Sequence, residues 1–160
     1  MKKSTIFLVL MVYLVSFFVV GFLGIAVQSA YSMTYVQEIL ITALPDQPAL
    51  EFVEDEKIKN EAIDEEHVTY THNYTYKFKY IKGTTLKFSV DIMPLESTYR
   101  DFELINMLKS DNLEVQPVTY DVVDGNVVCV TYSKRRAAEF KIQSTDGNKT
   151  ESTVKIIAYL

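Results

Sequence analysis

The pattern of apolar and polar residues divides the chain into unlike parts. From Ile6 to Val27 there is no alternation: 22 residues in a row carry no charge, and Ser16 is the plainly polar member among them. A helix rises 1.5 Å per residue, so this run covers roughly 30 Å, the thickness of a hydrocarbon core. Lys2 and Lys3 precede it, which by the positive-inside rule leaves the N-terminus cytoplasmic and the remainder outside. Residues 1–30 therefore predict one transmembrane anchor in a single-pass plasma-membrane protein. The alternative is a cleaved signal peptide, since Val27-Gln28-Ser29 and Ala30-Tyr31-Ser32 offer small residues at a cleavage site. In that case the product is secreted. A signal peptide's apolar core is about 7–15 residues, and the greater length here favours a retained anchor.

Residues 31–67 lack a clear period. Tyr35 to Leu44 suits a strand or an extension of the membrane helix, and Pro45 and Pro48 break it. Asp46 to Glu66 holds nine acids against Lys57 and Lys59, and reads as an exposed juxtamembrane connector or a short helix. It lacks the alternating Asp/Asn ligands and central Gly of a calcium loop.

From Val68 the period becomes two. Val68, Tyr70, His72, Tyr74, Tyr76, Phe78 and Tyr80 share one parity, and Thr, Asn and Lys fill the other. Successive strand side chains point to opposite faces, so this alternation predicts a half-buried strand. Lys82-Gly83 makes a turn, and Leu86, Phe88, Val90 and Ile92 alternate again until Pro94. Phe102, Leu104 and Met107 are core candidates in a less regular stretch. Val118 to Val123 passes through Asp124-Gly125-Asn126 into Val127 to Tyr132, where Asp-Gly tolerates the positive φ of a tight hairpin. Val127 to Val130 is apolar on both parities and predicts a central strand. Phe140 and Ile142 lead to a turn at Asp146-Gly147-Asn148, and Val154, Ile156 and Ala158 close the series. About seven short strands with turn chemistry between them predict an all-β, antiparallel sandwich over residues 68–160.

Order along the chain adds a resemblance. Lys82-Gly83 is followed by Leu86 to Pro94, a strand ending in proline, and then by the polar turn Glu96-Ser97-Thr98. Lys109-Ser110-Asp111-Asn112 is a Ser/Asp-rich turn before Leu113-Glu114-Val115. Asp124 to Val128 forms a Gly-centred hairpin, and Ala138 to Asn148 a penultimate strand with its turn. In this order the features resemble the bacterial immunoglobulin-like domain of group 2, a module of invasin- and intimin-type surface proteins. The resemblance covers residues 68–158 and implies an immunoglobulin-like sandwich that serves in spacing or adhesion. The sequence departs from it in three places. Phe102, Leu104 and Ile105 stand where the family has Trp, the glycine opening the penultimate strand is replaced near Arg136, and the Tyr120 region is longer.

Composition and charge restrict the chemistry. The net charge of −5 becomes −7 for residues 28–160, which disfavours nucleic acid and disfavours the domain lying flat on anionic lipid. The lone Cys129 excludes an internal disulfide and, within an apolar run, reads as a small buried hydrophobe. The two histidines, His67 and His72, with distant Cys129, suggest no zinc site, and His72 lies on the apolar parity of its strand. No G-x-S-x-G elbow or other nucleophile constellation is present, so no catalytic, cofactor or metal residue is assigned. Lys134, Arg135 and Arg136 form the one basic cluster of the domain. They are the candidate patch for an anionic partner, against the plainer reading of a solvated turn. Asn73 and Asn148 each begin an N-x-Thr triplet, with Asn148 in the more open position. An apolar run without Glu argues against type IV pilin assembly.

The expected function is non-enzymatic: a membrane-anchored, extracellular, cell-surface module of bacterial type that binds or spaces. An accessory subunit of a larger cell-envelope complex is the alternative. Its expected partners are membrane lipid, through the helix, and a protein or envelope component.

Overall fold

A computed structural model describes residues 3–30, 33–45, 47, 50–60, 68–106 and 117–160. It forms two compact units, residues 1–33 and 34–160. The first is α1 (Lys3–Ala30). It contains no proline, its side chains from Thr5 to Leu23 are exposed, and apolar residues cover every face. That all-round apolarity differs from the single apolar stripe of a helix packed on a core. The Ser16 hydroxyl donates to the Val12 carbonyl at 2.8 Å, so its polarity is satisfied within the helix. The 19 residues Thr5–Leu23 are long and apolar enough to cross a membrane. A membrane anchor and a signal sequence both meet that description.

The second unit is mostly β. Its strands are β1 (Glu38–Ala43), β2 (Leu50–Lys59), β3 (Tyr70–Lys79), β4 (Thr85–Met93), β5 (Phe102–Asn106), β6 (Val118–Val123), β7 (Val127–Tyr132), β8 (Ala138–Ser144) and β9 (Glu151–Tyr159). They form two sheets, ordered β1-β4-β7-β6 and β2-β3-β9-β8-β5. The period-two stretches behave as the pattern requires. His72, Tyr74, Tyr76 and Phe78 of β3 are buried, as are Leu86, Phe88, Val90 and Ile92 of β4. Aromatic rings join the sheets. Tyr76 meets Phe88 at 5.3 Å between ring centres, Phe78 meets Tyr132 at 4.8 Å, and Phe140 meets Phe88 and Tyr120 each at 5.8 Å. Tilted and edge-on contacts of this kind add to the area the rings bury.

The hairpin at Asp124-Gly125 has φ of 54° and 77° at its two central residues, the left-handed pair that a tight β-turn needs. Strand β7 lies between β4 and β6, central as its double-sided apolarity predicts.

Three expectations are corrected. The sandwich is not wholly antiparallel, because β3 and β9 pair in parallel from His72↔Ser152 to Lys79↔Tyr159. Local periodicity specifies a strand but not which neighbour it takes, and β9 inserts between β3 and β8. The connector also contributes two strands to the β unit. β2 pairs along its length with β3 while nearly all its side chains stay exposed. Such an edge strand is recruited through its backbone ladder, so its sequence need not alternate. Finally, Cys129 is half-buried rather than buried. It sits on the outward parity of β7, between buried Val128 and Val130. His67, Met107 and the stretch from Lys109 to Val115 lie outside the described residues.

Candidate functional site

Strands β1, β2 and β3 meet at one seam of the two sheets. β1 is the edge of one sheet and β2 the edge of the other. The parity that buries Tyr74 and Tyr76 also turns His72 inward, where it is 3% exposed. A buried imidazole needs partners for both nitrogens. Nδ1 lies 2.9 and 2.8 Å from the two carboxylate oxygens of Asp55, and Nε2 lies 2.6 Å from Oε1 of Glu38. Each ring nitrogen therefore has a carboxylate oxygen within hydrogen-bond distance. The Lys57 Nζ donates to the same Glu38 oxygen at 2.7 Å and stands 4.3 Å above the Tyr70 ring. Lys57 and His72 thus meet the same Glu38 carboxylate, and Asp55 meets His72 from its other nitrogen. The His72 ring stacks on Tyr74 at 5.3 Å and 8°.

Electrostatics follow from this geometry. Burial works against the Glu38 charge, but the hydrogen bonds from Lys57 and His72 outweigh it and hold the carboxyl below the usual glutamate range. Burial pushes the Tyr74 phenol up to about 12, against a backbone hydrogen bond from Ile41. The cluster is a closed network. Carboxylates occupy both His72 nitrogens, leaving neither open to take a substrate proton.

A second set of bonds fastens β1 across the seam. The Val36 N–H donates to Asp146 Oδ2 at 2.6 Å, and the Val36 carbonyl accepts from Thr150 Oγ1 at 2.7 Å. The Ser152 hydroxyl donates to the Ile39 carbonyl at 2.7 Å. The Ile41 N–H donates to the Tyr74 hydroxyl, and the Ile41 carbonyl accepts from Tyr76, both at 3.4 Å. The backbone of Val36, ahead of β1, is thereby held by the β8–β9 turn, and the Ile39 carbonyl and both Ile41 groups by side chains of β9 and β3. Beside them lies an open cleft of about 420 Å³, with β1 on one side, Phe52 and Asp55 of β2 on the other, and Tyr74 and Tyr76 beneath. Phe52 is 55% exposed at its rim and meets Tyr76 edge-on at 5.6 Å.

The residues singled out from sequence fall in different places. Lys134, Arg135 and Arg136 are exposed in the β7–β8 connection, away from the seam. Asn148 is not the open acceptor its turn suggested. Its side-chain amide donates to the Val36 carbonyl at 3.2 Å, and Thr150 of the same triplet is buried. Asn73 is half-buried, its amide 3.2 Å from Glu56 Oε2. Glu38, Asp55 and Lys57 were not recognised from sequence, because they come from the stretch read as connector or left open. A usable signal was the Leu50-x-Phe52 alternation followed by a bulge. The register shift between Phe52 and Glu54 brings Asp55 and Lys57 onto the inward parity. Among the described residues no group of three or more metal-ligating side chains is arranged to hold an ion.

No protein-family model matches the chain, and no curated protein and no solved structure matches it.

Proposed function

We propose that this chain is a membrane-anchored, extracytoplasmic immunoglobulin-like module that binds or spaces at a cell surface without catalysis. One observation carries the reading: an apolar, fully exposed helix of membrane-spanning length precedes a β unit with its own core. The helix gains from lipid what it cannot gain from packing. The cationic pair before the apolar run supports a cytoplasmic N-terminus.

The immunoglobulin-like assignment draws support from order. β4 ends at Met93 before Pro94, the Asp124-Gly125 hairpin joins β6 to β7, and β8 runs into the turn at residues 145–150, in the sequence the group 2 resemblance expects. The seam cleft supports a binding role, since an open apolar floor with an aromatic rim favours an extended segment over a small enclosed ligand.

Expressing the full chain in bacteria and treating intact cells with protease tests this. The expected result is loss of the β unit from outside, with peptides from residues 1–27 retained in membranes that resist alkaline extraction. A mature N-terminus near Ala30 or Met33 would sink the anchor, and full protection of the β unit would sink the outward topology.

A further inference from the structure

The β6–β7 hairpin stops short of the strand it flanks. β4 pairs with β7 from Thr85↔Thr131 to Ser89↔Val127, and the Val90 N–H donates to the Asn126 carbonyl at 2.8 Å. There the hairpin turns back at Asp124-Gly125, while β4 runs on to Met93 paired with β1. A notch is left beside β4. It is an open cleft of about 300 Å³, bounded by Val90 to Ile92, by Gly125 and Asn126 of the hairpin, by Phe102 of β5 and by Arg100 just ahead of it. Among the described residues no strand pairs with β4 on this side beyond Ser89.

Arg100 is the notch's cation. It is exposed, its Nη2 lies 3.5 Å from the Ile92 carbonyl, and it makes no ion pair with a described residue. A guanidinium carries five N–H donors in a planar fork, and one contact with a carbonyl leaves most of them unmatched. Asn126 is exposed on the hairpin wall, and Phe102 is half-buried. Strand parity turns Val90 and Ile92 inward, where both are buried, and Asp91 outward. Asn106 and Pro117, which flank residues 107–116, lie at the opposite ends of β5 and β6 from the notch. Asn60 and Val68, which flank residues 61–67, adjoin β2 and β3, and β9 and β8 separate those strands from β5.

We propose that this notch binds a monocarboxylate carried beside an apolar group, the pattern shared by the free C-terminus of a peptide and a small organic acid. The Arg100 fork matches the two oxygens of a carboxylate with parallel N–H bonds. The Phe102 ring offers the apolar group a wall, and the Asn126 amide offers a further donor. Asp91, Asp101 and Asp124 adjoin the lining residues in sequence and oppose a second negative charge, which disfavours phosphate. A peptide has one further advantage, since its last backbone groups lie along β4 where the hairpin stops, as an added strand does. The inference uses the β unit alone and stands whether the helix is a retained anchor or a cleaved signal.

The test uses the full chain, isotope-labelled and held in non-ionic detergent micelles. It is titrated with N-acetyl-leucine, N-acetyl-leucinamide, inorganic phosphate and a pentapeptide ending in leucine, and backbone amide NMR shifts are read. N-acetyl-leucine is expected to shift Ile92, Arg100, Gly125 and Asn126 in the millimolar range, and the leucinamide and phosphate are not. Arg100→Gln is expected to lose about tenfold in affinity, the low end for a hydrogen bond to a charged group. Arg100→Lys, which keeps the charge but not the fork, is expected to fall between. An unchanged thermal melt establishes that each variant is folded. Tighter binding of the pentapeptide than of N-acetyl-leucine supports the proposal with a peptide C-terminus as the source, and equal binding supports it with a small acid. Absence of shifts at these residues overturns it, as do equal shifts from acid and amide, or phosphate binding as tightly as the acid. So does a folded Arg100→Gln variant that binds as wild type.

Discussion

The Nε2 of His72 on β3 lies 2.6 Å from Oε1 of Glu38 on β1, and this contact joins the two sheets. The same ring holds Asp55 on β2 by its other nitrogen. One imidazole thus ties a strand of the first sheet to two strands of the second. Removing it leaves two partly buried carboxylates facing each other with Lys57 alone to balance them. His72→Ala is expected to lower stability by about 2 kcal/mol, the range for a broken, partly buried charged hydrogen bond. Urea unfolding checks this. A midpoint within error of wild type would mean the clasp carries no net stability.

The clasp also sets a pH dependence. The folded Glu38 carboxyl titrates below its ordinary range, so the unfolded chain binds more protons there than the folded one. Its contribution is therefore fully present above the ordinary glutamate value and is lost as pH falls through the lower, folded one. Melting temperature is expected to fall on acidification below about pH 5, and Glu38→Gln to flatten that limb. An identical acid limb in the variant would remove Glu38 from the account.

Tyr132 presents the opposite case. Its ring is fully buried against Phe78, yet its hydroxyl has no hydrogen-bond partner among the described residues, and burial pushes the phenol strongly upward. A buried hydroxyl without a partner is destabilising, so Tyr132→Phe is expected to gain about 1 kcal/mol. Tyr132→Ala, which also empties the ring's volume, is expected to lose about 4 kcal/mol. Calorimetry on the pair separates the two effects, and a loss in the Phe variant would reveal a hidden partner.

The β6–β7 hairpin offers a backbone test. Gly125 sits at φ 77°, and a Cβ there meets nothing within 4 Å, so conformation rather than crowding selects glycine. Gly125→Ala is expected to cost about 1 kcal/mol, while Asp124→Asn, at φ 54°, is expected to be neutral. Chemical denaturation of both variants reads the difference, and a neutral Ala variant would argue against the turn.

Legibility in the sequence followed burial. β3 and β4 each bury one face, so their alternation was written in residue type from Tyr70 to Met93. The Asp124-Gly125 turn was legible because its chemistry is local. β2 was not, because an edge strand exposed on both faces places no demand on alternation, and its acids looked like a solvated connector. The clasp was hidden for the same reason. His72 was visibly inward, but its partners lie on strands whose pairing depends on a bulge and on the assembly of two sheets. Cys129 was misplaced because β7 is apolar on both parities, and composition alone cannot distinguish its inward side. Lys134, Arg135 and Arg136 are exposed in the β7–β8 connection, where local sequence shows the turn but not what lies beside it.

The parallel seat of β9 has a consequence for how the protein is made. β9 fills the gap between β3 and β8, so its sheet stays in two halves until the last strand has been delivered. Until residues 151–159 take their place, β3 and β8 each present an open edge. The sheet therefore closes through contacts between residues far apart in the chain, a topology that slows folding and leaves strand edges unpaired until it is complete.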